Sequence, residues 1–127
     1  MPHPDMLMPF GDAEVWLCYA AMFLMLMDII TGFSQAVANK AIDSTKMRVG
    51  LWHKMASVML LVLAAAVDIF TANGVNLGFH VPIFSAVCVY VCGMELASNL
   101  ENIKAIYPAL AESPIFKAFN KDDDEAQ

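Results

Sequence analysis

Three stretches of this chain hold no charged residue at all: Val15–Met27 (VWLCYAAMFLMLM), Met55–Val67 (MASVMLLVLAAAV) and Val81–Met94 (VPIFSAVCVYVCGM). Each alone falls short of the roughly 17–25 residues that carry a helix across a bilayer. Continuing past one acid in each run gives Trp16–Phe33, Met55–Ala72 and Val81–Leu100, which reach that length. The alternative is three buried core helices of a soluble all-α domain. It leaves too little polar surface to wrap the globule. Of 127 residues, 59% are hydrophobic and 16% charged, whereas soluble domains sit near 45–50% and about 25%. The chain reads as an all-α integral membrane protein with three transmembrane helices.

The basic residues set the expected orientation. Lys40, Lys46, Arg48 and Lys54 lie between the first two runs, and Lys104, Lys117 and Lys121 follow the third. The N-terminal stretch and the Asn73–His80 loop have none. In a three-span chain the first linker and the C-terminal tail share a side, so the positive-inside rule places the N-terminus out and the C-terminus in. Trp16 and Trp52 stand at the starts of spans one and two, where an indole favours the headgroup level. The opening MPHPDMLMPFGDAE is acidic and lacks the basic n-region of a signal peptide, so the first span is expected to stay in the protein.

One membrane unit without internal repeats is expected. Residues 1–12, with Pro2, Pro4 and Pro9, read as a flexible N-terminal segment, 13–110 as the three-helix membrane domain, and 111–127 as an acidic cytoplasmic tail with a disordered end. The linker breaks near Asp43–Ser44, with Ser44 as the expected N-cap of the next helix. The short NGVNLG turn makes spans two and three antiparallel neighbours.

Each span contains one acid: Asp28, Asp68 and Glu95. A central charge costs about 2.5–3.5 kcal/mol on insertion scales, so each acid must be paired, protonated, near an interface, or turned toward helices or water. Helical spacing extends each acid into a stripe. From Asp28 it continues through Gly32, Gln35 and Asn39. From Glu95 it continues through Asn99 and Asn102 with Ser98 alongside, and around Asp68 it holds Ala64, Ala65, Thr71 and Ser57. The small-residue pairs Gly32/Ala36 and Gly93/Ala97 permit close helix approach. At 1.5 Å per residue, Asp28 and Glu95 both lie roughly 20 Å below the outer surface, within reach of a snorkelling Lys40 or Lys54. Three readings stay open at this point. The acids anchor helix ends and pair with linker lysines, or they face sister subunits and line a water-filled lesion, or they form a proton relay.

No enzyme chemistry is expected. His3, His53 and His80 are scattered, and no Ser/His/Asp, phosphate-loop or HExxH pattern occurs. Cys18, Cys88 and Cys92 lie in the spans without a nearby His and read as apolar packing residues, so no metal or cofactor is implied. A net charge of −6 argues against a nucleic-acid partner.

From Asp28 to Pro108 the chain resembles the bacteriophage holin family of three-helix lysis and toxin-secretion holins. The resemblance is carried by DIITGFSQAVANK (Asp28–Lys40), Ser44 with Lys46, GLWHKM (Gly50–Met55), Asp68, and MELASNLENIKAIYP (Met94–Pro108), in which Glu95, Ser98, Glu101 and Asn102 follow the family's Glu-x-x-Ser-x-x-Glu-Asn segment. It implies a protein that oligomerises in the bacterial host's cytoplasmic membrane and opens timed lesions. These release an endolysin or a toxin, and an antiholin is a possible partner. The tail departs from the family, ending in DDDE where holin tails are often basic. The competing expectations are a small multipass membrane adaptor or assembly subunit without pore activity, and a transporter subunit. The transporter is disfavoured because three spans supply no inverted repeat.

Overall fold

The computed structural model describes residues 9–79 and 81–125, with side chains through Phe119. Its long elements are α1 (Asp12–Ala38), α2 (Ser44–Ala72) and α3 (Ile83–Ile106), followed by a 3₁₀ turn, Pro108–Glu112, and α4 (Pro114–Glu125). Helices α1, α2 and α3 are each long and apolar enough to cross a membrane.

The helix ends follow from local chemistry. At the start of α1 the Glu14 side chain accepts from the Gly11 N–H at 2.9 Å, and Asp12 and Glu14 complement the helix dipole. The far end closes in a Schellman motif, with Ala41 N–H donating to Ala36 O at 2.9 Å and Lys40 N–H to Val37 O at 3.1 Å. Lys40 is the left-handed residue of that motif (φ 52°), a place more often taken by glycine. The same motif ends α2, through Val75 N–H to Phe70 O and Gly74 N–H to Thr71 O, with Gly74 at φ 97°.

The expected N-cap of α2 is off by one residue. Asp43, not Ser44, holds the extended backbone, and its Oδ1 accepts from Thr45 N–H at 2.8 Å and Lys46 N–H at 3.2 Å. A carboxylate one position earlier reaches the second and third helical N–H groups, and Ser44 becomes the first helical residue. Two further boundaries differ. Val81 and Pro82 lie outside α3, and the segment expected to end in disorder is helical through Glu125. Helix α1 begins at Asp12, the last residue of the expected flexible segment; residues 1–8 of that segment, with Pro2, His3 and Pro4, lie outside the described residues, as does His80.

Helix α3 is the middle of the bundle, parallel to α1 and antiparallel to α2. It packs most extensively on α1 and less on α2, whereas α1 and α2 scarcely meet. Two ends are therefore distinct. The linker end gathers Ala38, Ser44 and Ile106, and the loop end gathers Asp12, Ala72 and Ile83. A small core of Ala21, Met25, Leu61, Ala64, Phe84, Cys88 and Val91 fills the loop-end half, and Phe10 lies over Phe84 with ring centroids 4.8 Å apart. Most other large apolar side chains point outward, among them Phe23, Phe33, Leu63 and Tyr90. Such a surface is unfavourable in water and suits lipid.

Candidate functional site

In the linker-end half, the seam between helices changes from apolar to polar. Lys54 of α2 reaches across to both other helices. Its Nζ lies 2.6 Å from Asp28 Oδ2 of α1 and 2.6 Å from Glu95 Oε2 of α3. The three side chains are only 11–14% exposed. Two carboxylates thus share one ammonium, and the cluster keeps a formal charge of −1.

A chain of hydrogen bonds runs on from the acids. Asn102 Nδ2 donates to Asp28 Oδ1 at 2.8 Å and to Thr31 Oγ1 at 3.1 Å. Thr31 Oγ1 donates to Asn99 Oδ1 at 3.1 Å. Asn99 Nδ2 in turn donates to Leu24 O at 3.0 Å and to Glu95 O at 2.7 Å. Thr31, Glu95 and Asn99 are buried, and among the described residues no buried side-chain nitrogen or oxygen lacks a partner. Breaking one member of such a network strands its neighbours, which costs more than the bond itself contributed.

A Cβ on Gly32 would stand in ordinary contact, 3.4 Å from Asn102 Nδ2, so Ala would fit there and a side chain as long as Leu would press on the amide that Asp28 accepts from. Between α1 and α2, where the backbones diverge, a cleft of about 300 Å³ opens, lined by Asp28, Gly32, Gln35, Lys46, Lys54 and Ser98 among others. Apolar side chains, among them Ile29, Phe33, Met47 and Leu51, make up much of the rest of its wall.

The family model for the bacteriophage holin family matches residues 8–111. The chain belongs to the bacteriophage holin family. This is a family of non-enzymatic membrane proteins, and with its three spanning-length helices this member is a multipass membrane protein. Neither the curated proteins nor the solved structures contain a match to this holin-family chain.

The residues singled out in the sequence fall into three groups. Asp28, Glu95, Asn99 and Asn102 come together in the network, with Gly32 and the buried Ala36 at the same contact. Gln35 and Ser98 line the cleft, and Asn39 Nδ2 donates to Ala105 O at 3.3 Å, tying the ends of α1 and α3. Asp68 is far from this cluster. Its carboxylate accepts from Ile83 N–H at 3.1 Å and Phe84 N–H at 2.9 Å, capping α3. Ala64 is buried and Ala65 half-buried in the apolar core, while Thr71 Oγ1 turns back to Val67 O and Asp68 O of its own helix.

Of the two lysines expected within reach, Lys54 makes the pair; Lys40 is exposed in the turn. Lys46 and Arg48 are exposed on the first turns of α2, and Trp16 and Trp52 are 71% and 66% exposed near opposite ends of the bundle. Gly93 and Ala97 face outward, and a Cβ on Gly93 would meet nothing within 4 Å. Thr31, the hydroxyl joining Asn102 to Asn99, was not legible as a site residue. Its position three residues after Asp28 was the available signal.

Proposed function

We propose that this protein is a holin of the lysis or toxin-release type. It oligomerises in the cytoplasmic membrane of the bacterial host and opens timed lesions that release an endolysin or toxin. The family match over residues 8–111 carries this reading. The placement of charge supports an orientation with the N-terminus outside and the C-terminus inside. Every Lys and Arg lies at the linker end or in the tail beyond it. The linker end then faces the cytoplasm, residues 13–110 form the membrane domain, and 111–127 form a cytoplasmic tail.

Self-association is supported by the outward face of α3, where Gly93 and Ala97 leave room for another helix. The intramembrane acids Asp28 and Glu95, with Gln35 and Ser98, are the candidate lining of the lesion. Endolysin is cargo rather than a bound partner, and an antiholin is a candidate regulator.

The test is induced expression in a bacterial host alongside a cytoplasmic muralytic enzyme without its own export route. The expected outcome is an abrupt stop in growth, escape of the enzyme and lysis. A membrane adaptor would accumulate with the membrane intact and the enzyme retained, and that result overturns the proposal.

A further inference from the structure

We propose that Lys54 is a latch. Its pairing with Asp28 and Glu95 holds α2 against α1 and α3, and lesion opening requires α2 to swing away and expose the polar seam to water. This rests on the pore reading above and supplies its gate.

The contacts of α2 are unevenly distributed. At the loop end, Asp68 caps α3 and Leu61 and Ala64 sit in the core. At the linker end, α2 stands apart from α1 across the 300 Å³ cleft, and Lys54 is what crosses it. Among the described residues, the Lys54 pairs are the only ion pairs between the long helices. Lys104–Glu101 and Lys117–Glu112 are local and exposed. Helix α2 is also the least buried of the three. Hydrocarbon is as apolar as its Leu, Met and Val side chains, so lipid can replace most of its packing at small cost.

Lys54 is the exception. If α2 moves off, the ammonium must exchange two carboxylates for interfacial phosphates, which its long stem can reach by snorkelling. It then leaves Asp28 and Glu95 as two like charges with no cation beside them. Carboxylates in that state at this depth demand water. Release of the latch and wetting of the Asp28–Asn102–Thr31–Asn99 seam are therefore one event. The turns bounding α2, closed by Lys40 and Gly74 in left-handed conformations, separate it from continuous helix on either side. The Asp68 cap provides the end about which it swings.

The experiment locks α2 in place. Cys18, Cys88 and Cys92 are replaced by Ala, and Met47→Cys and Phe33→Cys place thiols on α2 and α1, at exposed positions on the cleft wall. The purified protein, joined by a reducible bis-thiol linker, is reconstituted into phosphatidylethanolamine/phosphatidylglycerol vesicles loaded with a fluorescent protein. The latch predicts loss of release in the linked protein and recovery on reduction. Undiminished release from fully linked protein overturns the latch while the pore reading stands. If the unlinked cysteine-free parent and the wild-type protein both fail to release cargo, the pore reading falls and takes the latch with it. A second arm compares Lys54→Met with Lys54→Arg. Onset of release should come earlier for K54M and stay near wild type for K54R, and a K54M that inserts but is not earlier also overturns the proposal. If K54M fails to insert, the linked pair decides.

Discussion

The Asp68 carboxylate at the end of α2 takes the place of an N-cap for α3, accepting from the Phe84 N–H at 2.9 Å. Pro82, the residue at the cap position itself, has no side-chain acceptor to offer, so a residue from the preceding helix supplies one. The same carboxylate sits where the α3 dipole is positive. An acid that looks anomalous in a hydrophobic run is thus satisfied by two backbone donors and a partial charge.

Asp68→Ala should therefore destabilise the bundle by about 1 kcal/mol, the usual worth of a lost N-cap. Asp68→Asn, which keeps an acceptor but loses the charge, should cost less. Thermal unfolding of the detergent-solubilised protein checks both. Equal losses for the two would show that the charge, rather than the acceptor, matters at this position.

What the sequence disclosed, and what it withheld, divides along a physical line. The three spans and the break before Ser44 were legible because uncharged apolar runs and their interruptions are local properties. The Asp28 and Glu95 stripes were legible as faces because helical spacing places Gly32, Asn99 and Asn102 on them. Their partners were not, because a face does not specify which helix it meets or at what register. Pairing of both acids with one lysine requires that α1 and α3 run parallel and that α2 cross their seam at the level of Lys54. Asp68 and Thr31 illustrate the same limit. Asp68 reads in the sequence as one more intramembrane acid although its partner is the start of the next helix, and Thr31 gains its role from two asparagines, 68 and 71 positions away.

The two glycines at expected packing positions should behave differently. Gly32→Leu places bulk where a bare Cβ already stands 3.4 Å from Asn102 Nδ2, and should lower the stability of the isolated subunit. Gly93→Leu meets nothing within 4 Å and should leave subunit stability unchanged or slightly raised, since helix interiors favour Leu over Gly by several tenths of a kcal/mol. If Gly93 serves self-association, G93L should nonetheless reduce cross-linked oligomers in vesicles and lose cargo release. Stability measured in detergent separates the two positions.

Orientation is checked by labelling termini. A tag at the N-terminus should be accessible to a membrane-impermeant reagent in intact protoplasts, and one at the C-terminus only after the membrane is permeabilised. Both tags on one face would contradict three crossings, and reversed accessibility would contradict the proposed direction. The prediction follows from counting Lys and Arg alone, because acids contribute little to the sorting.

The shared lysine makes a non-additive prediction for the acids. Replacing Asp28 with Leu leaves Lys54 paired with Glu95, and replacing Glu95 leaves it paired with Asp28. Either single change removes one of two carboxylates from a cluster that carries an excess negative charge, so the remaining pair is neutral. The principal loss in Asp28→Leu is then one of the two bonds of the half-buried Asn102 amide, which keeps Thr31 as an acceptor, worth about 1 kcal/mol. The double variant is different in kind, because it leaves a nearly buried ammonium with no counter-charge. Its destabilisation should exceed the sum of the two singles by about 0.5–3 kcal/mol, the range seen for directly coupled residues. Adding Lys54→Met to the double should recover much of that excess, since removing the stranded charge relieves its desolvation. Detergent unfolding of the four proteins of the cycle, with the triple variant as the control, measures this directly. Each single variant should also shift the onset of lysis in cells. Additive losses would mean that Lys54 escapes to the headgroups whenever either acid is lost, and that the two carboxylates are not coupled through it.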